Sequence, residues 1–419
     1  MRPPPDWPLR RARFFYTQTG MRRYGVLPLV VAGFLMNRAA HGQLDPERRE
    51  LIQLGGNQAL QGAAPIDAYA YYYLNEPNFF HTNVTLRLAV APVYLDSETG
   101  FVGLLGPHTD FGLGLAGGGF ADDYYEFHDG KYLPGESFFG NDVEGSASIY
   151  HLFNPGDRIP LTGVLRIKEH YSFYQTDDTS PAFALPRDHS TVSWRAGLRW
   201  GGREPLLQPD VAMELSVWYE GQYRTGAGAY GFDGDRVLNE APQLFWGRAL
   251  LIYTLPDSRQ RFEVSLTGGG SDQADRFSAY RLGGNMPMTS EFPLLIPGYF
   301  DGELSARNFA CFNGQYTLPL DAAKRWSLNP IGSIATVDYL PGLAQPGHFN
   351  SGAGIGLGWR SRSGAWQALA GYGYGFEAIR SGGRGGQSIG ILLQIDLEAR
   401  HPNGPSKLDD FRGFLRDHF

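Results

Sequence analysis

Three histidine-containing segments are where hydrolytic chemistry would be sought in this 419-residue chain. A lipid hydrolase needs a nucleophilic serine or cysteine that a positioned histidine activates. The segments are His81-Thr82-Asn83, His108-Thr109-Asp110 and His189-Ser190-Thr191. None has the His-x-Ser-Asn order expected of a membrane-embedded lipid hydrolase. The sequence therefore favours a protein that is not an enzyme.

An acidic and aromatic run, Asp122-Asp123-Tyr124-Tyr125-Glu126 with Asp129, is the best candidate for cation binding. Hard cations prefer oxygen ligands, but the run lacks the spacing of a known ligand loop. We therefore predict a solvated surface loop here, with no metal. The single cysteine, Cys311, excludes a disulfide framework and a Cys-rich metal centre. The glycine-rich stretches 226–228 and 382–386 open no predicted helix, so we predict no cofactor.

The composition narrows the class of protein. Glycine contributes 56 residues and aromatic residues 14%, whereas charged residues are only 19%, which fits many strands joined by turns. No segment after the leader approaches the roughly 20 apolar residues that a membrane-spanning helix needs. The net charge of −7 gives no support for nucleic acid as a partner.

Residues 1–42 predict a targeting leader. A charged start at Met21-Arg22-Arg23 is followed by an apolar stretch over residues 26–36 and by small residues that end at Gly42. This order is typical of a secretory signal peptide, cleaved after Gly42 and starting at Met21; a short membrane anchor is the alternative. The mature chain is then expected in or beyond a bacterial periplasm. Residues 43–65 predict a short periplasmic segment with one helix, and residues 399–419 an amphipathic tail.

Alternation of apolar and polar side chains is the main structural signal between residues 66 and 398. Leu165 and Ile167, for example, alternate with Arg166 and Lys168. Strand side chains point to opposite faces, so each such strand has one apolar and one polar face. In a lipid bilayer only a closed sheet satisfies every backbone group of a strand. We therefore predict an all-β fold, a transmembrane antiparallel barrel of roughly 12–16 strands; a secreted soluble β-protein is the alternative.

The barrel interpretation assigns side chains to its two surfaces. Apolar side chains face lipid, polar ones face the lumen, and aromatic ones form girdles at the rims. The predicted lumen charges are Arg166, Lys168, Arg195, Arg199, Glu214, Glu220 and Arg224. The predicted rim residues are Trp194, Trp200, Trp218, Tyr219, Tyr223, Trp359, Trp366 and Tyr374.

Residues 281–320 contain the most distinctive stretch. A Gly283-Gly284 turn begins a long apolar loop that carries Ile296-Pro297-Gly298-Tyr299. A loop of this length is usually functional. A long alternating strand follows the loop. We assign one face to Ala306, Ala310, Phe312, Tyr316 and Leu318, and the other to Ser305, Arg307, Asn313, Gln315 and Thr317.

This stretch resembles the bacterial surface antigen superfamily of outer-membrane assembly and translocation barrels, the BamA/TamA type. Members have a Gly-Gly turn and a loop with a (Val/Ile)-Arg-Gly-(Phe/Tyr) motif, which folds into the lumen of a sixteen-stranded barrel. Ile296-Pro297-Gly298-Tyr299 matches the motif, Tyr316-Thr317-Leu318-Pro319-Leu320 matches the end of the next strand, and five strands follow from Leu304. The last strand resembles the C-terminal insertion signal at Ser388, Gly390, Leu393 and Ile395.

The sequence departs from the family pattern in two places. Pro297 replaces the motif arginine, which in the family pairs with an aspartate on the inner wall; Asp338 is the nearest candidate for that partner. Proline has no N–H and no charge, so we expect apolar packing and backbone bonds, without a charge clamp to Asp338, to hold the loop. Residues 43–65 are also too few for a POTRA domain.

The resemblance implies a non-enzymatic outer-membrane barrel that aids protein insertion, secretion or substrate passage. A passive outer-membrane pore is the first alternative, and an outer-membrane lipid hydrolase is the second. The expected partners are outer-membrane lipid, the barrel assembly machinery during insertion and a separate periplasmic protein.

Overall fold

The computed structural model describes residues 44–400 except 46, 204–206 and 288–290. The predicted leader and most of the predicted tail lie outside these residues. The described residues form a closed antiparallel barrel of sixteen strands, within the predicted range. The strands are β1 (Arg49–Ala59), β2 (Asp67–Pro77), β3 (Val84–Ala91), β4 (Tyr94–Phe101), β5 (Thr109–Gly118), β6 (Phe138–Leu152), β7 (Leu161–Thr176), β8 (His189–Gly202), β9 (Val211–Arg224), β10 (Gln243–Thr254), β11 (Arg261–Asp272), β12 (Leu304–Pro319), β13 (Trp326–Tyr339), β14 (Phe349–Arg360), β15 (Trp366–Arg380) and β16 (Gly383–Asp396).

Each strand pairs with the next, and β1 closes the barrel by pairing with β16 from Leu51↔Asp396 to Ala59↔Ser388. We call this β1–β16 pairing the seam. The expectation of a separate, partly helical segment at residues 43–65 is therefore wrong, because residues 49–59 are the first barrel strand. Its inner face carries the polar Gln53 and Asn57, and the adjacent Gly55 and Gly56 interrupt the apolar alternation that identified the other strands. A short helix is also present at Leu397–Arg400. Among the described residues, no helix has the length and hydropathy needed to cross a membrane.

The two surfaces of the barrel have opposite polarity, as predicted. Large apolar side chains such as Leu115, Ile167 and Val217 are exposed on the outside. All seven predicted lumen charges are buried inside. Many are neutralised across the sheet: Lys168 Nζ lies 2.9 Å from Glu144, and Arg166 Nη2 lies 3.2 Å from Glu98. Buried charges need such partners, and lipid tolerates only the apolar outer face.

The lengths of the connections orient the barrel. At one end the connections have no more than eight residues, and both chain ends of the barrel lie there. At the other end are the long connections 119–137, 177–188, 225–242 and 273–303. Outer-membrane barrels have short periplasmic turns and long extracellular loops. The long connections are therefore extracellular.

A β-bulge corrects the predicted faces of β12. The pairing of β12 with β13 shifts between Ala306 and Asn308. A bulge adds one residue to a strand and exchanges its two faces beyond that point. Ala306 is consequently buried and Arg307 exposed, whereas Ala310 and Phe312 face outward as predicted.

Charge on the outer face of β16 is expected to impair membrane assembly. Leu393 and Ile395 share that face with the exposed Ile389 and Ile391. Each aspartate should destabilise the membrane-inserted barrel by roughly 1–2 kcal/mol, because carboxylates are unfavourable next to lipid. We expect lower outer-membrane levels of Leu393→Asp/Ile395→Asp by fractionation, while Arg384→Asp in the exposed β15–β16 hairpin should assemble normally. Normal levels of the double variant would contradict this prediction.

Candidate functional site

Residues 283–287 and 291–303, which we call the lumen loop, fold back into the barrel between β11 and β12. A short strand, Tyr280–Leu282, pairs with the start of β12 and leads the chain inward. The Gly283 N–H then donates to the Leu294 carbonyl at 2.9 Å, and Gly284 forms an isolated bridge with Ile296. Ile296 and Tyr299 are almost completely buried. The loop is therefore an ordered structure in the lumen.

The lumen loop is hydrogen-bonded to both strands of the seam. On β1, Asn57 Oδ1 accepts the N–H groups of Asn285 and Met286 at 3.2 and 3.0 Å, and Asn57 Nδ2 donates to the Met286 carbonyl at 3.1 Å. On β16, Ser388 Oγ accepts the Gly298 N–H at 3.0 Å. One loop thus spans the seam from the inside. Asn57 lies in the strand that the sequence analysis missed.

Glycines make the inner wall under the loop flat enough for this contact. A Cβ at Gly352 would lie 2.3 Å from the Pro297 carbonyl oxygen, and one at Gly375 would lie 2.6 Å from the Tyr299 ring. A Cβ at Gly390 would lie 2.3 Å from Met286 Cγ. Gly352 and Gly375 belong to period-two glycine series on β14 and β15, at residues 352–358 and 371–375, and Gly390 lies four residues after Gly386 on the same face of β16. Such a series could have located the wall that receives the loop.

Gly298 and Tyr299 fix the tip of the loop against this wall. Gly298 has φ +90°, in the left-handed region that glycine adopts without strain. The Tyr299 hydroxyl donates to Asn350 Oδ1 on β14 at 3.1 Å, and Asn350 Nδ2 donates to the Tyr339 hydroxyl at 2.9 Å. The tip therefore has specific polar contacts as well as apolar packing.

The wall opposite the seam, at β9 and β10, holds the middle of the lumen loop through Phe292. Its ring packs edge-on against Trp218 and Trp246, with centroid distances of 5.9 Å to each. Arg248 lies over the Phe292 ring at 4.4 Å. We call Trp218, Trp246, Arg199 and Arg248 the Phe292 pocket. Trp218 is consequently a buried lumen residue and not a rim residue as predicted.

The lumen loop contributes to the charge balance of the Phe292 pocket. Arg248 makes bonds of 3.1 and 2.6 Å to the Glu214 carboxylate and donates to the Glu291 carbonyl at 2.7 Å. Arg199 forms an ion pair with the Glu291 carboxylate of the loop. The loop thus supplies the second carboxylate for two buried arginines. It crosses the lumen from β8–β10 to the seam.

Pro297 and Asp338 do not meet. Asp338 lies near the extracellular end of β13, where it pairs with Arg307 at 2.9 Å and accepts from Asn308 at 2.7 Å. Its side chain is 42% exposed. The candidate position of Asp338 on the inner wall is therefore wrong, whereas the loop, as expected, makes no charge clamp with it. The expectation that apolar packing and backbone bonds alone hold the loop is also incomplete, because Glu291 and Glu303 of the loop both form ion pairs with the wall.

A periplasmic turn occupies the other side of the lumen. Between β8 and β9, the Leu207 N–H donates to Gln394 Oε1 on β16 at 3.1 Å, and Arg261 Nε donates to the Pro209 carbonyl at 3.1 Å. Gln394 Oε1 also accepts from Gln53 on β1 at 3.2 Å. A cavity of about 80 Å³ remains between this turn and the lumen loop. Its lining combines Arg203, Arg261 and Glu263 with apolar loop residues.

The extracellular connections pack into a cap over the barrel. Tyr124, Phe138, Phe183, Tyr230 and Leu238 form its buried core. The acidic run predicted to be a solvated loop is part of this cap, and Asp122, Asp123 and Glu126 are at most 3% exposed. That prediction is wrong for Asp122, Asp123 and Glu126, which pack with the aromatic core of the cap, whereas Asp129 is exposed.

Glu126 is the centre of a charged cluster in the cap. Its carboxylate lies 2.6 Å from His128, 3.2 Å from Arg276 and 3.6 Å from Arg236. Glu126, His128 and Glu136 have donor atoms close enough to hold a metal ion, but the two guanidinium groups already supply the positive charge. Burial would raise the pKa of Glu126, yet the hydrogen bond with His128 and the charges of Arg276 and Arg236 lower it to about 2.

The cap is expected to loosen as the pH rises above neutrality. The hydrogen bond with Glu126 raises the pKa of His128. Protonated His128 therefore stabilises the cap fully below its ordinary pKa of about 6.5, and this stabilisation is lost as the pH rises through the raised pKa. The pKa of Glu126 is lowered, so its carboxylate stabilises the cap at neutral pH, and this stabilisation is lost only as the pH falls below about 4 towards 2. His128 is partly exposed, so we expect its pair with Glu126 to stabilise the cap by less than about 1 kcal/mol. Proteolysis of the cap should be faster at pH 9 than at pH 6, and His128→Gln should remove most of the difference; equal rates in the unmodified protein would contradict this.

The three histidine segments lie apart. His81 and His108 are in periplasmic turns, whereas His189 begins β8 at the extracellular end. His189 Nδ1 lies 3.0 Å from the Arg187 carbonyl, and its ring stacks on Tyr174. The structure therefore does not bring the three segments together.

Comparisons with known proteins identify the fold. No family model and no curated protein sequence matches the chain. Among solved structures, it is similar to CdiB from Acinetobacter baumannii, with 14% identity, a TM-score of 0.54, and coverage of 84% of this chain and 60% of that one. It is also similar to BamA from Haemophilus ducreyi lacking POTRA domains 1–3, with 9% identity, a TM-score of 0.54, and coverage of 83% and 71%. CdiB from Escherichia coli matches with 12% identity, a TM-score of 0.53, and coverage of 88% and 68%.

The protein is thus an outer-membrane β-barrel. Its fold is that of the BamA and CdiB barrels, which confirms at the level of the fold the resemblance seen in the sequence. The chain spans about 60% of the length of the A. baumannii CdiB structure.

Proposed function

We propose that this barrel assists the insertion of polypeptides into the outer membrane or their passage across it. The observation that carries the proposal is the lumen loop, which is hydrogen-bonded to both seam strands through Asn57 and Ser388. A loop in this position couples the contents of the lumen to the one pairing that closes the barrel. The shared fold with BamA and CdiB supports the same class of function.

The contents of the lumen favour this role over a passive pore. The lumen loop crosses from the Phe292 pocket to the seam, Leu207 of the β8–β9 turn reaches β16 below it, and the cap packs above it. A permanently open channel needs a continuous water-filled path through the barrel. In the proposed role, these segments or the seam move when a polypeptide passes.

A disulfide across the seam tests the proposal. Leu54 and Leu393 are direct partners on the lipid-facing side, and facing strand residues have Cα atoms about 4.5–5.5 Å apart, within disulfide range. The Leu54→Cys/Leu393→Cys pair would be placed in a Cys311→Ser background. The matched control, Tyr372→Cys/Ile389→Cys, joins β15 to β16, which a hairpin already connects.

The assay measures the folding of a urea-unfolded outer-membrane barrel protein into liposomes that contain each variant. We expect the Cys311→Ser barrel to accelerate folding, the oxidised seam pair to lose the acceleration and a reductant to restore it. The oxidised control pair should remain active. A Cys311→Ser barrel that folds the substrate no faster than empty liposomes do would overturn the proposal.

A further inference from the structure

A buried arginine on the wall, Arg380, contacts the tip of the lumen loop. A bulge in β15 directs it there: Gly375 pairs with Gly386 and Ile379 with Arg384, so β15 has two more residues than β16 between these pairs. Bulges change the direction of the side chains that follow them. The bulge brings Arg380 into the interior, where it is 7% exposed.

Arg380 binds the loop at three points. Its Nη1 and Nη2 donate to Glu303 Oε1 and Oε2, both at 2.9 Å, which is a bidentate pair. Nη2 also donates to the Gly298 carbonyl at 3.1 Å. The guanidinium carbon lies 4.2 Å from the centroid of the Phe300 ring. Glu303 is itself buried and accepts the Phe300 N–H at 2.9 Å.

These contacts fix both polar groups of the Gly298 backbone. Its carbonyl accepts from Arg380 on β15, and its N–H donates to Ser388 on β16. The tip of the loop thus has one bond to each of the last two strands. Bidentate guanidinium–carboxylate pairs are directional, and loss of one buried partner leaves an uncompensated charge.

We propose that Arg380 is the positioning residue of the lumen loop and that the Arg380–Glu303 pair is its clamp. The wall supplies the cation and the loop supplies the acid, which is the reverse of the polarity that the surface antigen motif implies. This arrangement explains how the chain holds its loop with Pro297 at the motif position. Any effect of the clamp on the seam rests on the function proposed above, whereas the clamp itself does not.

Cys311 reports the position of the loop without an added probe. It is the only cysteine in the sequence, it is buried on β12, and its Sγ lies 3.9 Å from the Leu295 carbonyl of the loop. The rate at which a water-soluble maleimide labels Cys311 in the folded barrel therefore measures release of the loop. Single-channel conductance in planar bilayers is a second readout, and neither needs a translocated substrate.

The experiment compares Arg380→Gln, Glu303→Gln, the exchange Arg380→Glu/Glu303→Arg and the control Arg384→Gln. Arg384 is exposed in the hairpin next to the clamp. We expect labelling to accelerate about tenfold or more in both single variants, because breaking a buried pair shifts local opening strongly. Conductance should rise as well, and Arg384→Gln should change neither quantity.

The exchange variant decides whether the pair itself matters. A carboxylate at position 380 cannot donate to the Gly298 carbonyl, so we expect partial rescue, and labelling of the exchange variant that is slower than that of a folded single variant supports the clamp. A folded Arg380→Gln barrel with unchanged labelling and conductance would overturn the proposal, as would a folded exchange variant that labels at least as fast as the single variants. If the clamp passes these tests while the barrel fails to accelerate substrate folding, only the proposed function falls.

Discussion

Replacement of Gly298 by alanine is expected to displace the tip of the lumen loop. Gly298 has φ +90°, and an added Cβ would lie 1.8 Å from the Gly375 backbone nitrogen. This nitrogen is backbone on β15, so the overlap can be relieved only by moving the strand or the loop. The left-handed conformation and the overlap together should cost about 3 kcal/mol or more. We expect Gly298→Ala to label at Cys311 at least about tenfold faster than the unmodified barrel.

Gly302 provides the matched control for this variant. It lies in the same loop with φ +65°, but a Cβ there would meet its nearest neighbour, Arg281 Cβ, only at 3.5 Å. Gly302→Ala should therefore carry the backbone cost alone, about 1 kcal/mol, and leave the labelling of Cys311 nearly unchanged. Equal labelling of the two variants would show that conformation, and not contact with the wall, determines the effect at Gly298.

The barrel could be predicted because lipid imposes a simple pattern. Strands such as β7, with Leu165 and Ile167 outside and Arg166 and Lys168 inside, have an alternation that no soluble arrangement explains as well. β1 escaped prediction because its outer face continues from Ile52 and Leu54 to Gly56 and Gln58, so the apolar alternation stops halfway along the strand. The bulge in β12 could not be seen either, since a one-residue insertion changes faces without leaving a compositional mark.

The position of the lumen loop followed from the resemblance at Gly283, Gly284 and Gly298, whereas its contacts did not follow. Arg380 enters the lumen only because of a bulge in β15, and it pairs with a loop residue 77 positions away in the chain. Asp338 was chosen by analogy with the family, yet it faces outward beside Arg307. Contacts of this kind depend on register and barrel closure, which local patterns do not determine. The period-two glycines of β14 and β15 were the available signal, because they mark where another backbone approaches.

Both anchors of the lumen loop have an aromatic ring beside an ion pair with the wall. Phe300 lies next to Arg380 and Glu303 near the seam, and Phe292 lies next to Arg199 and Glu291 on the opposite wall. The anchors join distant strands, so release of one leaves the other attached. Substitution at one anchor is therefore expected to release that part of the loop and to leave the other part attached.

Truncation of Phe292 to alanine is expected to release the end of the loop farthest from the seam. The ring contacts Trp218, Trp246 and Arg248, and it is 3% exposed. Loss of a buried phenylalanine side chain costs about 3–5 kcal/mol, and here the cation–π contact is lost as well. We expect higher conductance and stronger acrylamide quenching of tryptophan fluorescence, because Trp218 and Trp246 become open to water.

The lipid-facing Phe262 is the control for Phe292→Ala. Its ring is 48% exposed and contacts Tyr316 on the outer surface of the barrel, so Phe262→Ala removes a similar side chain without touching the lumen. Phe262→Ala should leave conductance and quenching unchanged.

In Phe292→Ala, labelling of Cys311 should rise less than in Arg380→Gln, because the Arg380–Glu303 clamp still holds the tip. Unchanged conductance and quenching in Phe292→Ala would mean that the Arg199–Glu291 pair alone anchors this end of the loop.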